Sequence, residues 1–280
     1  MYFLFALGFV SLFPYLALLE GPDSSEREAA LVALADSAAV SDLEKALYRT
    51  NWRGREGVLE AIARKGPVSV PALVHIARTH LRVDARRLAV LGLGDIPDLA
   101  ARDSLVLLLS GPDRDLAVEA LGKQGDVAVT EAVVGLLADP VPDVRRRAIV
   151  ALGKLSGDAA VPHAVPMLSD GHHSVRFASA GVLEGLGEVA GRELVARFSD
   201  LSPPGKYLAL RTLGNIGYVP GMHLLKAVMH DPDWALRGAA ARALGRLPGT
   251  RPFLTHVLQS EAHFWVRKQI GSALQEANPN

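Results

Sequence analysis

One pattern returns along this chain every 28 to 31 residues, and that period restricts the fold more than any other feature of the sequence. The pattern is clearest in Asp139 to Gly157, DPVPDVRRRAIVALGKLSG. This stretch reads as a turn followed by a helix whose apolar residues Val144, Ala148, Ile149, Leu152 and Leu155 recur at helical spacing. With Arg145 as anchor, the equivalent positions are Arg27, Arg55, Arg86, Arg114, Arg176, Lys206, Arg237 and Arg267. Three residues past each anchor stands Ala30, Val58, Ala89, Ala117, Ala148, Ser179, Ala209, Ala240 or Ile270. Seven residues past it stands Leu34, Ile62, Leu93, Leu121, Leu152, Leu183, Leu213, Leu244 or Leu274.

A first helix precedes each anchored helix, as in 67–79, 97–109, 127–138 and 159–168. Gly66, Gly125, Gly157, Gly187 and Gly217 lie eleven or twelve residues past their anchors, where a glycine cap ends a helix. Glycines inside the second helices, Gly94, Gly122, Gly153, Gly214 and Gly245, suggest close approach of a neighbouring backbone. A pair this short cannot bury its apolar faces alone, so stacked neighbours must share one interior. The expectation is an all-α, right-handed α-solenoid of about nine helix pairs over residues 20–275, with 276–280 as a tail.

The first 19 residues, MYFLFALGFVSLFPYLALL, carry no charge. As a helix they would reach roughly 28 Å, about the thickness of a bilayer core. We expect an N-terminal hydrophobic helix over 1–19 acting as a membrane anchor, with Tyr2, Phe3, Phe5, Phe9, Phe13 and Tyr15 as its aromatic contacts. The acidic residues that follow give nothing basic to hold the repeats inside, so an extracytoplasmic, periplasmic placement is expected, with a cytoplasmic one as the alternative. The competing reading makes Phe13 to Leu19 the first helix of repeat one.

Formal net charge is zero, which argues against a nucleic-acid partner, since phosphate contacts require a basic excess. The charge is uneven: residues 1–140 carry 14 Lys/Arg against 19 Asp/Glu, and residues 141–280 carry 16 against 11. The absence of cysteine removes disulfides, thiolate metal sites and thiol nucleophiles. His163, His172, His173, His230 and His263 lack ligand spacing and read as polar residues of turns and helix ends. No phosphate loop, nucleophile elbow or metalloprotease motif occurs, so no catalytic, cofactor or metal residue is expected. Candidate partner-binding residues are Trp52, Trp234 and Trp265, near the starts of second helices, together with Arg146 and Arg147. Two readings stay open for the tryptophans: contact with a partner, or sealing of the gap between repeats.

These features resemble the short HEAT-like repeats of the phycobilisome-lyase type. The resemblance rests on Asp139-Pro140 with Val144-Arg145 and Ala151-Leu152-Gly153, on Asp170 with Val175-Arg176, on Asp231-Pro232 with Leu236-Arg237, and on Glu261 with Val266-Arg267. It implies a ladder in which Asp139, Asp170, Asp200, Asp231 and Glu261 pair with basic anchors, Arg145, Arg176, Arg237 and Arg267 among them, of the same or the adjacent repeat. Arg49, His80 and Leu108 occupy the acidic position in the earlier repeats. The function expected is a non-enzymatic scaffold for protein partners, as an accessory subunit of a membrane-associated assembly. The alternatives are a lyase- or chaperone-like subunit acting on a tetrapyrrole-bearing protein, as the family name implies, and a soluble repeat adaptor.

Overall fold

The structure, a computed structural model, describes residues 12–276, and among these it is all-α. They form nine helix pairs and divide into two compact units between Val133 and Val134. In the first unit lie α1 (Phe13–Glu20), α2 (Ser24–Ser37), α3 (Val40–Ala46), α4 (Trp52–Arg64), α5 (Val70–Thr79), α6 (Val83–Gly94), α7 (Leu99–Leu108) and α8 (Arg114–Gln124). The division falls within α9 (Thr130–Gly135). The second unit continues with α10 (Pro142–Ser156), α11 (Val161–Met167), α12 (His173–Ala196), α13 (Pro203–Ile216), α14 (Met222–Val228), α15 (Trp234–Gly245), α16 (Arg251–Ser260) and α17 (Phe264–Glu276).

Within each unit the second helices stack on one another. In the first unit α2 packs on α4, α4 on α6 and α6 on α8; in the second α10 packs on α12, α12 on α13, α13 on α15 and α15 on α17. The repeat pattern sets this packing. Every residue three past an anchor is buried, and so is every residue seven past it except Leu274, which is half-buried in the last repeat. Ser179 takes one of these positions without loss, because its hydroxyl donates to the Ala164 carbonyl at 2.5 Å.

Helix ends follow local chemistry. Asp23 caps α2, its Oδ1 accepting from the backbone of Ser25 and Glu26 at 2.8 and 3.0 Å. All five expected cap glycines have positive φ, as does Gly249 at the same offset from Arg237. At Gly157 and Gly217 a Cβ would meet nothing within 4 Å, so backbone conformation and not space selects glycine. At Gly187 (φ 60°, ψ −128°) the chain breaks α12 and passes from one repeat's second helix to the next repeat's first with no loop. Several first helices begin later than expected. In them the residues after the glycine close tight turns, such as Val129 N–H to Asp126 O at 3.3 Å, before α-helical bonding starts.

The expected membrane anchor is corrected. Helix α1 has eight residues, about 12 Å, and no helix among the described residues is long and apolar enough to cross a membrane. The extracytoplasmic placement that rested on the anchor goes with it. The described leucines of this stretch instead pack against protein. Leu12, Leu16 and Leu19 are buried, and Leu19 sits over Gly57 of α4, where a Cβ would lie 2.9 Å from its Cδ2. Phe13 and Tyr15 point outward at 58% and 37% exposure. Tyr2, Phe3, Phe5 and Phe9 lie outside the described residues.

The helix-interior glycines fall into two kinds. Beside Gly94, Gly214 and Gly245 the backbone of Ala120, Ala243 and Ala273 approaches to 3.0, 2.6 and 2.8 Å of an ideal Cβ. Gly181 and Gly185 of α12 are exposed and face open space. Helical glycine costs about 1 kcal/mol relative to alanine, so Gly181→Ala should raise the unfolding free energy by roughly that amount. Urea denaturation that registers a loss instead would mean Gly181 is packed.

Candidate functional site

The basic anchors sit at the start of the second helices, and the guanidinium groups of Arg55, Arg145 and Arg237 bridge two repeats. Arg145 Nη1 donates to the Asp139 carbonyl of its own turn at 2.7 Å, while Nε and Nη2 reach the two Asp170 oxygens of the next repeat at 2.7 and 2.8 Å. Arg237 repeats this with the Asp231 carbonyl at 2.9 Å and the Glu261 carboxylate at 2.9 and 3.0 Å. Arg176 and Arg267 bind only carbonyls among the described residues, including Asp170 O at 2.8 Å and Glu261 O at 3.0 Å. Each bridging acid also holds its own turn, Asp170 Oδ1 accepting from His172 N–H at 2.7 Å and Glu261 Oε1 from His263 N–H at 2.8 Å. The Arg145 hydrogen bonds hold the Asp170 carboxyl below its ordinary range, and those of Arg237 do the same for Glu261.

Other acids at this position also hold their own turns or lie near a base of the same repeat. Asp139 and Asp231 accept from the N–H two residues on, Val141 and Asp233, both at 2.8 Å. Asp200 lies 3.7 Å from Arg197 in its own repeat. Lys206 rests 5.7 Å from the Phe198 ring centroid.

In the first unit, where the turn acid is missing, carboxylates at the starts of the following second helices replace it. Asp84, two residues before Arg86, accepts from Arg55 Nε at 2.8 Å. Asp113 and Asp115 flank Arg114; Asp113 lies 3.8 Å from the anchor Arg86, and both receive Arg87, one residue past that anchor, at 3.1 and 3.0 Å. His80 stands in for the turn acid: its Nδ1 accepts from Arg82 N–H at 3.1 Å, as Asp170 does for His172. Burial pushes the His80 pKa down, which keeps the ring neutral and Nδ1 free to accept.

The candidate partner-binding residues divide. Trp265 covers Gly238 of α15, where a Cβ would lie 2.2 Å from its ring, so it seals the joint between α15 and α17. Trp234 packs edge-on against Trp265 at 5.2 Å and stacks on His263 at 4.9 Å, yet stays 46% exposed. Trp52 in the first unit is 62% exposed, with Arg53 5.7 Å from its ring centroid. Arg146 and Arg147 both pair with Asp143, at 2.6 and 3.3 Å. Among the described residues no group of His, Asp and Glu is arranged to hold a metal.

A row that the sequence reading passed over lies one, five and nine residues past each anchor, spaced i, i+4, i+8 along one helix face. In the second unit it holds Tyr207, Arg211 and Asn215 on α13, with Arg242 and Arg246 on α15. Arg211, Asn215, Arg242 and Arg246, with Glu184 of α12, line a groove of about 290 Å³. Arg242 donates to the Tyr207 hydroxyl at 2.7 Å, and Arg246 donates to the Asn215 side-chain oxygen. Arg211 lies 3.7 Å from Glu184 and 5.1 Å from the Phe177 ring centroid. The signal was present in the fixed offset from the anchors, but only the packing tells this face from the buried one.

Residues 110–184 and 191–275 match the HEAT repeat family. No curated protein matches the chain in sequence. Among solved structures it resembles the complex of CpcE and CpcF of phycocyanin lyase from Nostoc sp. PCC7120, at 20% identity over 94% of this chain and 93% of that one, with a TM-score of 0.39. YibA from E. coli is 15% identical over 93% of this chain and 99% of its own, with a TM-score of 0.53. Kap95p, in a complex with RanGDP, is 11% identical over 96% of this chain but 43% of its own length, with a TM-score of 0.62. At these identities the likeness shows the fold alone. The periodic core, the arginine bridges and the family match agree, and the chain belongs to the HEAT repeat proteins.

Proposed function

We propose that the chain is a non-enzymatic adaptor that holds a partner protein on the face formed by its second helices. The observation that carries this reading is the row one, five and nine residues past the anchors in the second unit. It presents exposed or half-exposed side chains of mixed character: Phe177 at 50% exposure, Tyr207, Arg211, Arg242 and Arg246. Aromatic and arginine side chains together are the usual composition of energetic centres in protein interfaces. Repeat stacking supplies a continuous surface for such contact without a deep enclosed site.

A photo-cross-linking residue at Tyr207 should capture a discrete protein in cells of the source. The same residue at Leu107, 73% exposed on the first helix α7, should not. Capture from 107 alone, or from neither position, would overturn the assignment.

A further inference from the structure

The second-helix face differs in charge between the two units. In the first unit the positions one, five and nine past the anchors hold seven acidic residues (Glu28, Asp36, Glu56, Glu60, Asp95, Asp115 and Glu119) and three basic ones (Arg64, Arg87 and Lys123). All three basic residues are paired there: Arg64 with Glu28 and Glu60 at 2.8 Å, Arg87 with Asp115 at 3.0 Å, and Lys123 with Asp95. In the second unit the same positions hold Arg146, Lys154, Arg211, Arg242, Arg246 and Lys268, with one acidic residue, Glu276 at the end of the last repeat. Glu184, one residue off the row, is engaged by Asn215 at 2.7 Å and lies 3.7 Å from Arg211. Arg242 and Arg246 bind neutral oxygens, of Tyr207 and Asn215, and have no carboxylate partner among the described residues. Arg211 Nε is buried with no acceptor. The row therefore leaves cationic charge that its own unit does not neutralise.

Beside the basic groove is an apolar hollow of about 520 Å³ between α10 and α12, walled by Val150, Val182 and Leu186 and floored by Gly181 and Gly185. A Cβ on either glycine would meet nothing within 4 Å, so no packing in the unit accounts for Gly181 within the helix or Gly185 in its last turn before the break at Gly187. The hollow has room for a bulky apolar side chain.

Resting on the adaptor reading, we infer that the second unit binds an extended acidic segment of its partner, with carboxylates on Arg242 and Arg246 and one large apolar side chain in the Gly181–Gly185 hollow. Carboxylates fit these guanidinium groups through charge-assisted hydrogen bonds. A nucleic-acid backbone would meet the cations but supplies no apolar side chain for the hollow. From the hollow, between α10 and α12, to the groove, between α13 and α15, is about two helix spacings of 8–10 Å. An extended chain covers that distance in about six residues.

The test is fluorescence anisotropy with the full chain and a labelled peptide carrying Phe, about five Gly/Ser residues and then Glu-Glu-Glu. Saturable binding is expected, weakened at least tenfold by the double substitution Arg242→Glu and Arg246→Glu and by raised salt. Gly181→Leu, which fills the hollow, should weaken binding while melting stays unchanged or rises. No saturable binding, equal binding by the charge-reversed variant, or tighter binding of an oligothymidylate than of the peptide would overturn the proposal. Failure here combined with capture from position 207 would leave the adaptor reading standing with a partner of other chemistry.

Discussion

Gly245→Leu should destabilise the second unit by about 3 kcal/mol, near the upper end of what overpacking usually costs. The reason is backbone contact. A Cβ at Gly245 would lie 2.6 Å from Ala273 Cβ, 2.8 Å from its Cα and 3.0 Å from its carbonyl oxygen. Neither α15 nor α17 can relieve that clash by changing a rotamer, so the helices must separate and expose the interior that Leu244 and Ile270 share. Gly153→Leu is the milder companion, because its Cβ meets the Val182 side chain, Cγ1 at 2.7 Å, and not backbone, and about 1–2 kcal/mol should suffice. For a protein this size 1 kcal/mol moves Tm by about 2–4 °C. Thermal melts should therefore show Gly245→Leu far below wild type and Gly181→Ala at or above it. A Gly245→Leu melt matching wild type would mean that α15 and α17 do not approach this closely.

That ordering shows how far residues alone could carry the fold. The interval between basic anchors, the residue three places on and the apolar residue seven places on define the buried stripe of the second helices, and burial follows them through every repeat but for the half-buried Leu274 of the last. The cap glycines were legible because only one backbone conformation places glycine at a helix end with open space beside it. The two roles of interior glycine were legible only as different offsets, Gly245 eight past its anchor and Gly181 five; which offset meets a neighbouring backbone emerges from the packing. The N-terminal leucines misled for a related reason. An apolar run states that side chains leave water, not whether lipid or protein receives them. Here Leu16 and Leu19 enter the first repeat, and the helix ends at Glu20 after eight residues.

The site was less legible than the fold. Turn acids marked the bridges at Asp170 and Glu261, yet Asp84 and Asp113 reach the anchors Arg55 and Arg86 from another position. The two placements become equivalent only once stacking brings residues 24 to 29 apart into contact. Arg242 and Arg246 show the same limit from the other side. Their offset from Arg237 was plain, but their lack of carboxylate partners among the described residues depends on what neighbouring repeats present.

Removing Arg145 should be the most damaging change to the bridges. Arg145→Met takes hydrogen bonds from both Asp170 oxygens and from the Asp139 carbonyl, and it strands a carboxylate whose side chain is only 6% exposed. Breaking one side of a buried ion pair costs about 3–5 kcal/mol, and the lower figure applies because Asp170 keeps its bond from His172 N–H. Asp170→Asn should cost less, about 1–2 kcal/mol, since the amide oxygen still accepts. The double variant should lose at least about 1 kcal/mol less than the sum of the singles, because each single removes the same interaction. pH gives an independent reading. The folded Asp170 carboxyl is held below the 3.8 of the free side chain, first by its hydrogen bond to Arg145. Its contribution is thus full above that value and fades as pH falls through the folded pKa. Urea titrations of the wild type should show this acid limb and Asp170→Asn a shallower one, with the two curves converging at the lowest pH. Additive singles together with an unchanged acid limb would mean that the guanidinium and the carboxylate are neighbours without being coupled.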